Sequence, residues 1–145
     1  MELPPGLSLS IEDRPSAKDQ KAVDEGLGEY NDPFLNHPTY ASFGIFVRDE
    51  AATIRAGLVG QVYAEWLFVK YLWVHADLRR TGIGSGLLAE AERRALGLGC
   101  HSAWLDTFSF QGPNFYTKFG YREFGRLDYP PDHQRIFLQK QLTAE

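Results

Sequence analysis

The sequence predicts a mixed α/β fold, in which one sheet carries helices on its faces. Most early elements have strand patterns, and the later part of the chain contains a strand–helix–strand crossover. A chain of 145 residues, 43% of them hydrophobic, can bury one compact core. Because no linker or repeat divides the sequence, we expect residues 1–145 to form a single domain.

The N-terminal part predicts a short strand followed by a helix. Residues 7–11 alternate apolar and polar side chains, as a strand does. Ser16 can cap the helix that follows, because Asp19 stands three residues on and completes an approximate capping box. Pro33 and Pro38 break this helix and leave an irregular segment that could line a site.

Three strands are predicted in the middle of the chain. Residues 42–48 and 54–64 have strand patterns, and the segment 49–52 between them suits a hairpin turn. Residues 67–74 are nearly all apolar or aromatic, which is typical of a strand covered on both faces. We therefore expect this third strand to lie in the middle of the sheet.

The second half of the chain begins with an amphipathic helix after Gly82. Its apolar residues fall on one helical face and its charged residues fall on the other. Residues 101–108 then predict a strand, and residues 113–119 predict a short helix. Segments 121–127 and 135–142 close the chain as two more strands.

Composition and patterning argue against several classes of function. The formal net charge of -4 disfavours a nucleic-acid partner, because phosphate binding needs a clustered basic surface. Cys100 is the only cysteine, so we expect a packing thiol, no disulfide and no metal site. The sequence shows no signal-peptide pattern and no apolar run near the ~20 residues of a membrane span. We therefore expect a cytoplasmic protein without a membrane partner.

Residues 72–88 carry the clearest functional signal. An apolar strand leads into a glycine-rich turn, and the turn leads directly into the amphipathic helix. Glycines at positions 82, 84 and 86 let an anion approach the backbone closely. The start of the helix adds free N–H groups and the positive end of the helix dipole. A pyrophosphate group is the expected ligand.

Two nucleotide-binding motifs match this turn less well. A Walker loop needs Lys followed by Ser or Thr after its last glycine, whereas Leu87 follows Gly86 here. A dinucleotide-binding loop should follow the first strand, with an acidic residue about 20 positions further on. This turn lies in mid-chain, but Asp106 does stand 20 residues beyond Gly86, so the dinucleotide alternative stays open.

The segment Arg79-Arg80-Thr81-Gly82-Ile83-Gly84 resembles the acetyl-CoA signature of the GNAT superfamily of N-acetyltransferases. Phe115-Tyr116-Thr117-Lys118-Phe119-Gly120-Tyr121 is similar to the second motif of that family, a short helix that bears a tyrosine. The resemblance implies a central mixed, mostly antiparallel sheet of about seven strands flanked by about four helices. It also implies an acyltransferase that uses acetyl-CoA as cosubstrate.

In this family the pantetheine arm lies in a V-shaped split, which here falls between residues 67–74 and 101–108. The resemblance implies backbone contacts to pantetheine near Trp73 and Val74. It places the pyrophosphate on the N–H groups from Arg80 to Ser85, although the arginines of this segment could also be solvated surface residues. The residues implied for the cosubstrate are Trp73, Val74, Arg79, Arg80, Thr81, Gly82, Ile83, Gly84, Ser85, Ser109 and Asn114.

Tyr116 matches the family's tyrosine that points at the thioester sulfur, where a phenol could protonate the departing thiolate. The alternative is an amphipathic core tyrosine. Ser109 stands where many members have an asparagine that bonds the pantetheine, and the nearby asparagine is Asn114. Phe68 stands where some members have a glutamate base, so the base must lie elsewhere or be water.

Direct attack on the thioester requires that the acceptor amine lose a proton. The candidate bases are Glu65, Asp106 and His133, and each could instead have a structural or solvated role. Aromatic residues near the cleft would suit a flat, amphipathic or cationic acceptor, which is a small-molecule or peptide amine. Many members of the family are dimers, so the resemblance allows a homodimer. The alternative function is a GNAT-like domain that binds acyl-CoA without turnover.

Overall fold

The computed structural model describes residues 1–143 and contains two compact units, which meet in sequence between His37 and Pro38. The first unit contains helix α1 (Ala17–Asn31). The side chain of Ser16 caps α1 by accepting a hydrogen bond of 3.0 Å from the N–H of Asp19, so the predicted start of this helix is confirmed. Because the chain forms two such units, the single-domain expectation stays a prediction.

The strand predicted for residues 7–11 does not form. These residues have no regular structure, and Leu7, Leu9 and Ile11 are all exposed. Alternation gives only a local preference, and a strand without neighbours to complete its hydrogen bonds is not stable in water.

The second unit contains one sheet of six strands in the order β1-β2-β3-β4-β6-β5. The strands are β1 (Tyr40–Arg48), β2 (Ile54–Tyr63), β3 (Trp66–Val74), β4 (Ser102–Phe108), β5 (Arg122–Tyr129) and β6 (His133–Gln141). Only β3 and β4 pair in parallel within this sheet, and the other four pairings are antiparallel. The predicted mixed, mostly antiparallel sheet is therefore confirmed, with β3 in its interior.

Two α-helices accompany this sheet, α2 (Ile83–Gly97) and the short α3 (Asn114–Thr117). Residues 1–143 thus hold six strands and three α-helices, slightly fewer than the resemblance implied. None of these helices has both the length and the apolar composition needed to cross a membrane.

The predicted turn between β1 and β2 is closed by one side chain. Oδ1 of Asp49 accepts hydrogen bonds from the N–H groups of Ala51 and Thr53, at 2.9 and 3.0 Å. The next turn has only two residues, Ala64 and Glu65, and both have positive φ angles. Two such residues match the right-handed twist of the flanking strands, so β2 and β3 form a tight hairpin.

The core lies between α2 and one face of the sheet. The buried face of α2 consists of Leu87, Leu88, Ala91 and Ala95, which pack with inward-facing residues of the strands. Cys100 is buried in this core, and burial together with the charge of Glu65 raises the pKa of its thiol. A buried thiol with a raised pKa is weakly nucleophilic, in agreement with a packing role.

Candidate active site

The two central strands separate halfway along their length. β3 and β4 pair from Trp66 opposite Ser102 to Val69 opposite Leu105, and no pairing follows beyond that point. On its other side β3 stays paired with β2 as far as Val74, with one extra residue, Lys70, at a bulge. A bulge re-aims the strand that carries it. The V-shaped split expected between residues 67–74 and 101–108 is therefore present at the carboxyl ends of β3 and β4.

The start of α2 follows the end of β3 closely in the chain and, among the described residues, has no side-chain cap. Gly82 is the N-cap residue in a left-handed conformation, with φ +86°, and no side chain caps the helix. The first intrahelical bond runs from the N–H of Gly86 to the carbonyl of Gly82, at 3.0 Å. The N–H groups of Ile83, Gly84 and Ser85 therefore remain available, as an anion site requires.

Side chains hold the turn that leads into α2. The hydroxyl of Thr81 donates to the carbonyl of Leu78 at 2.5 Å, and the hydroxyl of Ser85 donates to the carbonyl of Gly82 at 3.0 Å. Arg80 has φ +64°, which is uncommon for a residue with a side chain and marks a tightly constrained turn. These contacts keep the N–H groups at the helix start in one arrangement.

Arg79 lies beside the split. Its Nε donates to the carbonyl of Val74 at 3.4 Å, so its guanidinium lies against the last residue of β3. Arg80 has an exposed side chain at the tip of the same turn. Both arginines therefore belong to the turn that leads to the free N–H groups, and Trp73 and Val74 form the end of β3 against which Arg79 lies.

The helix start, the end of β3 and α3 converge on Gly84. A Cβ atom at Gly84 would lie 3.5 Å from the ring of Phe115 and 3.7 Å from the side chain of Val74. Tyr116 follows Phe115 in α3, and their rings meet edge to face with centroids 5.0 Å apart. The two sequence motifs, 79–84 and 115–121, therefore meet at one end of the sheet.

Tyr116 is partly buried and packs against the core on the α2 side of the sheet. Burial, with a smaller contribution from the charge of Asp106, raises the pKa of Tyr116 to about 12. The phenol therefore stays protonated throughout the physiological pH range. A neutral phenol can donate a hydrogen bond but is a weak acid.

Ser109 and Asn114 lie on the segment between β4 and α3. The hydroxyl of Ser109 accepts a hydrogen bond of 3.1 Å from the N–H of Gln134, which links this segment to β6. Asn114 begins α3, and its carbonyl accepts a bond of 2.9 Å from the hydroxyl of Thr117. Ser109 therefore has a structural contact and keeps its hydroxyl proton for a further acceptor.

Aromatic and charged residues gather at the carboxyl end of β4. The ring of His133 meets the ring of Phe110 edge to face at 4.9 Å, and Phe108 stacks on Phe110 at 5.3 Å. Nε of Arg135 donates to Oδ1 of Asp106 at 2.9 Å. The structure thus brings His133 and Asp106, two of the candidate bases, to the same end of the sheet as Tyr116.

Glu65 lies elsewhere. It belongs to the turn before β3, and its carboxylate is 3.7 Å from Nε2 of His101. β3 has nine residues, so the two ends of this strand are roughly 26 Å apart. The structure does not bring Glu65 together with Tyr116 or the glycine-rich turn.

Sequence reasoning missed two features of this region. One is Arg135, whose pairing with Asp106 spans 29 positions and leaves no local signal. The other is a groove of about 520 Å³ along α2, which begins at Ser85. The groove is lined by Ser85, Leu88, Ala89, Glu92, Arg93, Leu96, Phe119, Lys140, Leu142 and Thr143. These residues come from three separate segments of the chain, so no local sequence pattern marks the groove.

Comparison with known proteins gives concordant results. The family profile described as "Acetyltransferase (GNAT) domain" matches residues 41–123. The chain is 43% identical to a blasticidin-S acetyltransferase of Streptomyces morookaense over 71% of this chain and 75% of that protein. It is 30% identical to the acetyltransferase Atu2258 of Agrobacterium fabrum over 94% of this chain and 100% of that protein. A crystal structure of an acetyltransferase from Bacillus cereus superposes with a TM-score of 0.79 at 33% identity, over 92% of this chain and 98% of that one.

Proposed function

The chain belongs to the GNAT family of acetyltransferases, and we propose that it transfers the acetyl group of acetyl-CoA to a primary amine by direct attack. The observation that carries this proposal is the meeting of three features at Gly84. These are the uncapped start of α2, the unpaired edge of β3 and the α3 segment that bears Tyr116.

The residues present fit an acyl-CoA molecule along its length. The unpaired backbone edge near Trp73 and Val74 can hydrogen-bond the amides of a pantetheine arm, as a neighbouring strand would. The N–H groups of Ile83 to Ser85, with Arg79 and Arg80 at the rim, can hold a pyrophosphate. The groove that begins at Ser85 offers room for the nucleotide end, with Arg93 as a cation and Phe119 as a ring for stacking.

Tyr116 is suited to stabilise the departing thiolate by a hydrogen bond. Full proton transfer from a phenol with a pKa of about 12 to a thiolate with a pKa near ~8.5 would cost roughly 5 kcal/mol. A hydrogen bond to a charged group contributes about 1.5–3 kcal/mol without such transfer. Tyr116 therefore donates a hydrogen bond as negative charge develops on sulfur.

His133 is the proposed acceptor of the amine proton, directly or through water. It lies at the start of β6, at the same end of the sheet as the split, and its exposed ring is held against Phe110. The substitution His133→Ala should lower kcat/KM for the best amine at least ~10-fold, because positioned proton transfer contributes roughly 10²–10⁴-fold. An unchanged kcat/KM in the variant would remove His133 from the mechanism.

Two measurements test the proposed function. Acetyl-CoA and CoA should raise the melting temperature, whereas ATP and NAD should not, because a ligand at ~100 times its Kd adds about 2.7 kcal/mol. A CoA-release screen over small amines, polyamines, amine-bearing antibiotics and peptides should then identify acceptors. Binding of acetyl-CoA without release of CoA by any amine would favour the non-catalytic alternative.

A further inference from the structure

We propose that Asp106, held in place by Arg135, is the carboxylate that binds the protonated amine of the acceptor. It does so at the face of the sheet opposite α2. This inference rests on the proposed function and names the group that recognises the second substrate.

Asp106 lies one residue beyond the last pair that joins β3 and β4, so it stands where the split begins. Its neighbours Leu105 and Thr107 are buried on the core side. Successive side chains of a strand point to opposite faces, so Asp106 points to the face away from α2. The side chain is 16% exposed, which shields its charge from solvent while leaving it reachable.

Arg135 fixes the orientation of this carboxylate. Its Nε donates to Oδ1 of Asp106 at 2.9 Å, and its guanidinium lies over the ring of Phe137 at 5.4 Å. This bond to Asp106, with a smaller contribution from Tyr129, raises the pKa of Arg135. A carboxylate has room for about four hydrogen bonds, so the bond from Arg135 leaves capacity for the N–H groups of an ammonium ion.

Asp106 and Tyr116 lie on opposite flanks of the split. Tyr116 packs against the core on the α2 side, whereas Asp106 points to the other face. Burial and, to a smaller extent, the charge of Asp106 raise the pKa of Tyr116, so the two groups interact across the opening. An amine bound at Asp106 would therefore approach a thioester in the split from the side opposite Tyr116.

The neighbouring residues on the same face add an aromatic wall. Trp104 precedes Asp106 by two positions on β4, and its ring stacks on Phe68 of β3 with centroids 4.2 Å apart and planes 18° apart. A carboxylate beside stacked rings favours a cationic acceptor whose amine is attached to an apolar or planar group.

The pairing with Arg135 gives Asp106 a role distinct from that of a general base. Its Oδ1 already accepts a hydrogen bond from Arg135, and its remaining lone pairs are suited to hydrogen bonds from the N–H groups of an ammonium ion. Asp106 is therefore a binding group for the ammonium form, and the proton leaves afterwards through His133 or water. Loss of its charge should act on the KM of the amine more than on kcat.

The experiment compares Asp106→Asn with Glu123→Gln in steady-state kinetics on the best acceptor of the screen. Glu123 is the matched control, because it is an exposed carboxylate bonded to Arg126 at 2.7 Å on β5. We expect Asp106→Asn to raise the KM of the amine at least ~10-fold, the loss of one charge-assisted hydrogen bond. The Kd of acetyl-CoA should stay within about twofold, and Glu123→Gln should leave both values unchanged.

A double variant, Asp106→Asn with Arg135→Gln, controls for destabilisation of the fold, because it leaves no arginine without its carboxylate partner. It should show the same rise in KM with a normal Kd for acetyl-CoA. An amine KM near the wild-type value in both variants, or a fall in kcat at constant KM, would overturn the proposal.

A second readout does not depend on turnover. Ultraviolet titration of the phenols, with Tyr116→Phe as the reference, should place the ionisation of Tyr116 at a lower pH in Asp106→Asn than in the wild type. If no amine is acetylated, calorimetry on the CoA complex with benzylamine and its uncharged analogue benzyl alcohol replaces the kinetics. Wild-type preference for benzylamine that disappears in Asp106→Asn supports the proposal even if the proposed function fails, and equal binding of both probes by the wild type overturns it.

Discussion

The two ends of the β3–β4 pair are formed by the same two strands but differ in backbone pairing and in how their polar groups are paired. At the amino end the ladder is complete from Trp66 to Val69, and the adjoining groups, Glu65 and His101, are paired with each other. At the carboxyl end the ladder stops, a helix begins without a cap, and a partly buried phenol stands beside the opening. Unsatisfied hydrogen-bonding capacity is therefore concentrated at one end, and that end is where a ligand can be held.

The strongest test of this contrast compares a negative charge introduced at the start of α2 with one introduced at its end. Gly84→Asp places a carboxylate near the free N–H groups, where it competes with a pyrophosphate. A repulsion of about 4 kcal/mol between charges ~4 Å apart predicts a loss of acetyl-CoA affinity of at least ~100-fold. Isothermal titration calorimetry measures this loss.

Gly97→Asp is the control for that prediction. A Cβ at Gly97 contacts nothing within 4 Å, so the side chain fits at the last residue of α2. Some stability should be lost, because a negative charge at a helix C-terminus is unfavourable, but the Kd for acetyl-CoA should not change. If Gly84→Asp bound acetyl-CoA normally, the glycine-rich turn would not be the phosphate site.

The next largest effect separates two neighbouring tyrosines. Tyr116→Phe keeps the ring at the open end and deletes the hydroxyl, which should lower kcat at least ~10-fold with little change in acetyl-CoA affinity. Tyr121→Phe deletes a hydroxyl that donates to Glu92 at 2.8 Å, and it should reduce stability without affecting kcat. Equal kcat values for wild type and Tyr116→Phe at saturating substrates would exclude Tyr116 from the reaction.

Both tyrosines also make stability depend on alkaline pH. Burial raises the pKa of each, so the folded state holds these protons more tightly than the unfolded state. Their contribution to the free energy of unfolding is complete below pH ~10. It is lost as the pH rises from ~10 toward the pKa values of the two tyrosines in the folded state. For Tyr116 alone we expect the free energy of unfolding to fall by about 1 kcal/mol between pH 8 and pH 11. Urea denaturation of wild type and Tyr116→Phe at both pH values measures the difference, which should be smaller in the variant.

The smallest expected effect lies at the amino end of the β3–β4 pair, where the two strands are fully paired. Glu65→Gln should leave kcat/KM within about twofold of the wild type, because the paired segment Trp66–Val69 separates Glu65 from the split. A fall of tenfold or more, measured with the same amine, would mean that the two ends of the sheet are not functionally separate.

Local pattern was sufficient to predict most elements of the second unit. The alternation and turn chemistry of residues 40–74 placed three strands to within about two residues, and apolar periodicity placed α2. Residues 7–11 show the limit of that reasoning, since their alternation is not matched by a partner strand. The bulge at Lys70 and the Asp106–Arg135 pair arise only when distant segments meet. The proposed cosubstrate site was therefore readable from a contiguous motif, whereas the pairing that orients the proposed acceptor carboxylate was not.

The alternation of β4 has an evolutionary consequence. Leu105 and Thr107 lie on the face of the sheet that packs against α2, the helix that follows the glycine-rich turn. Trp104 and Asp106 lie on the opposite face. Substitutions of Trp104 or Asp106 need not disturb the packing of Leu105 and Thr107, since the two sets of side chains lie on opposite faces of the strand. Under the proposed assignment of the two sites, a few changes on a single strand would therefore exchange one acceptor for another without altering the cosubstrate site.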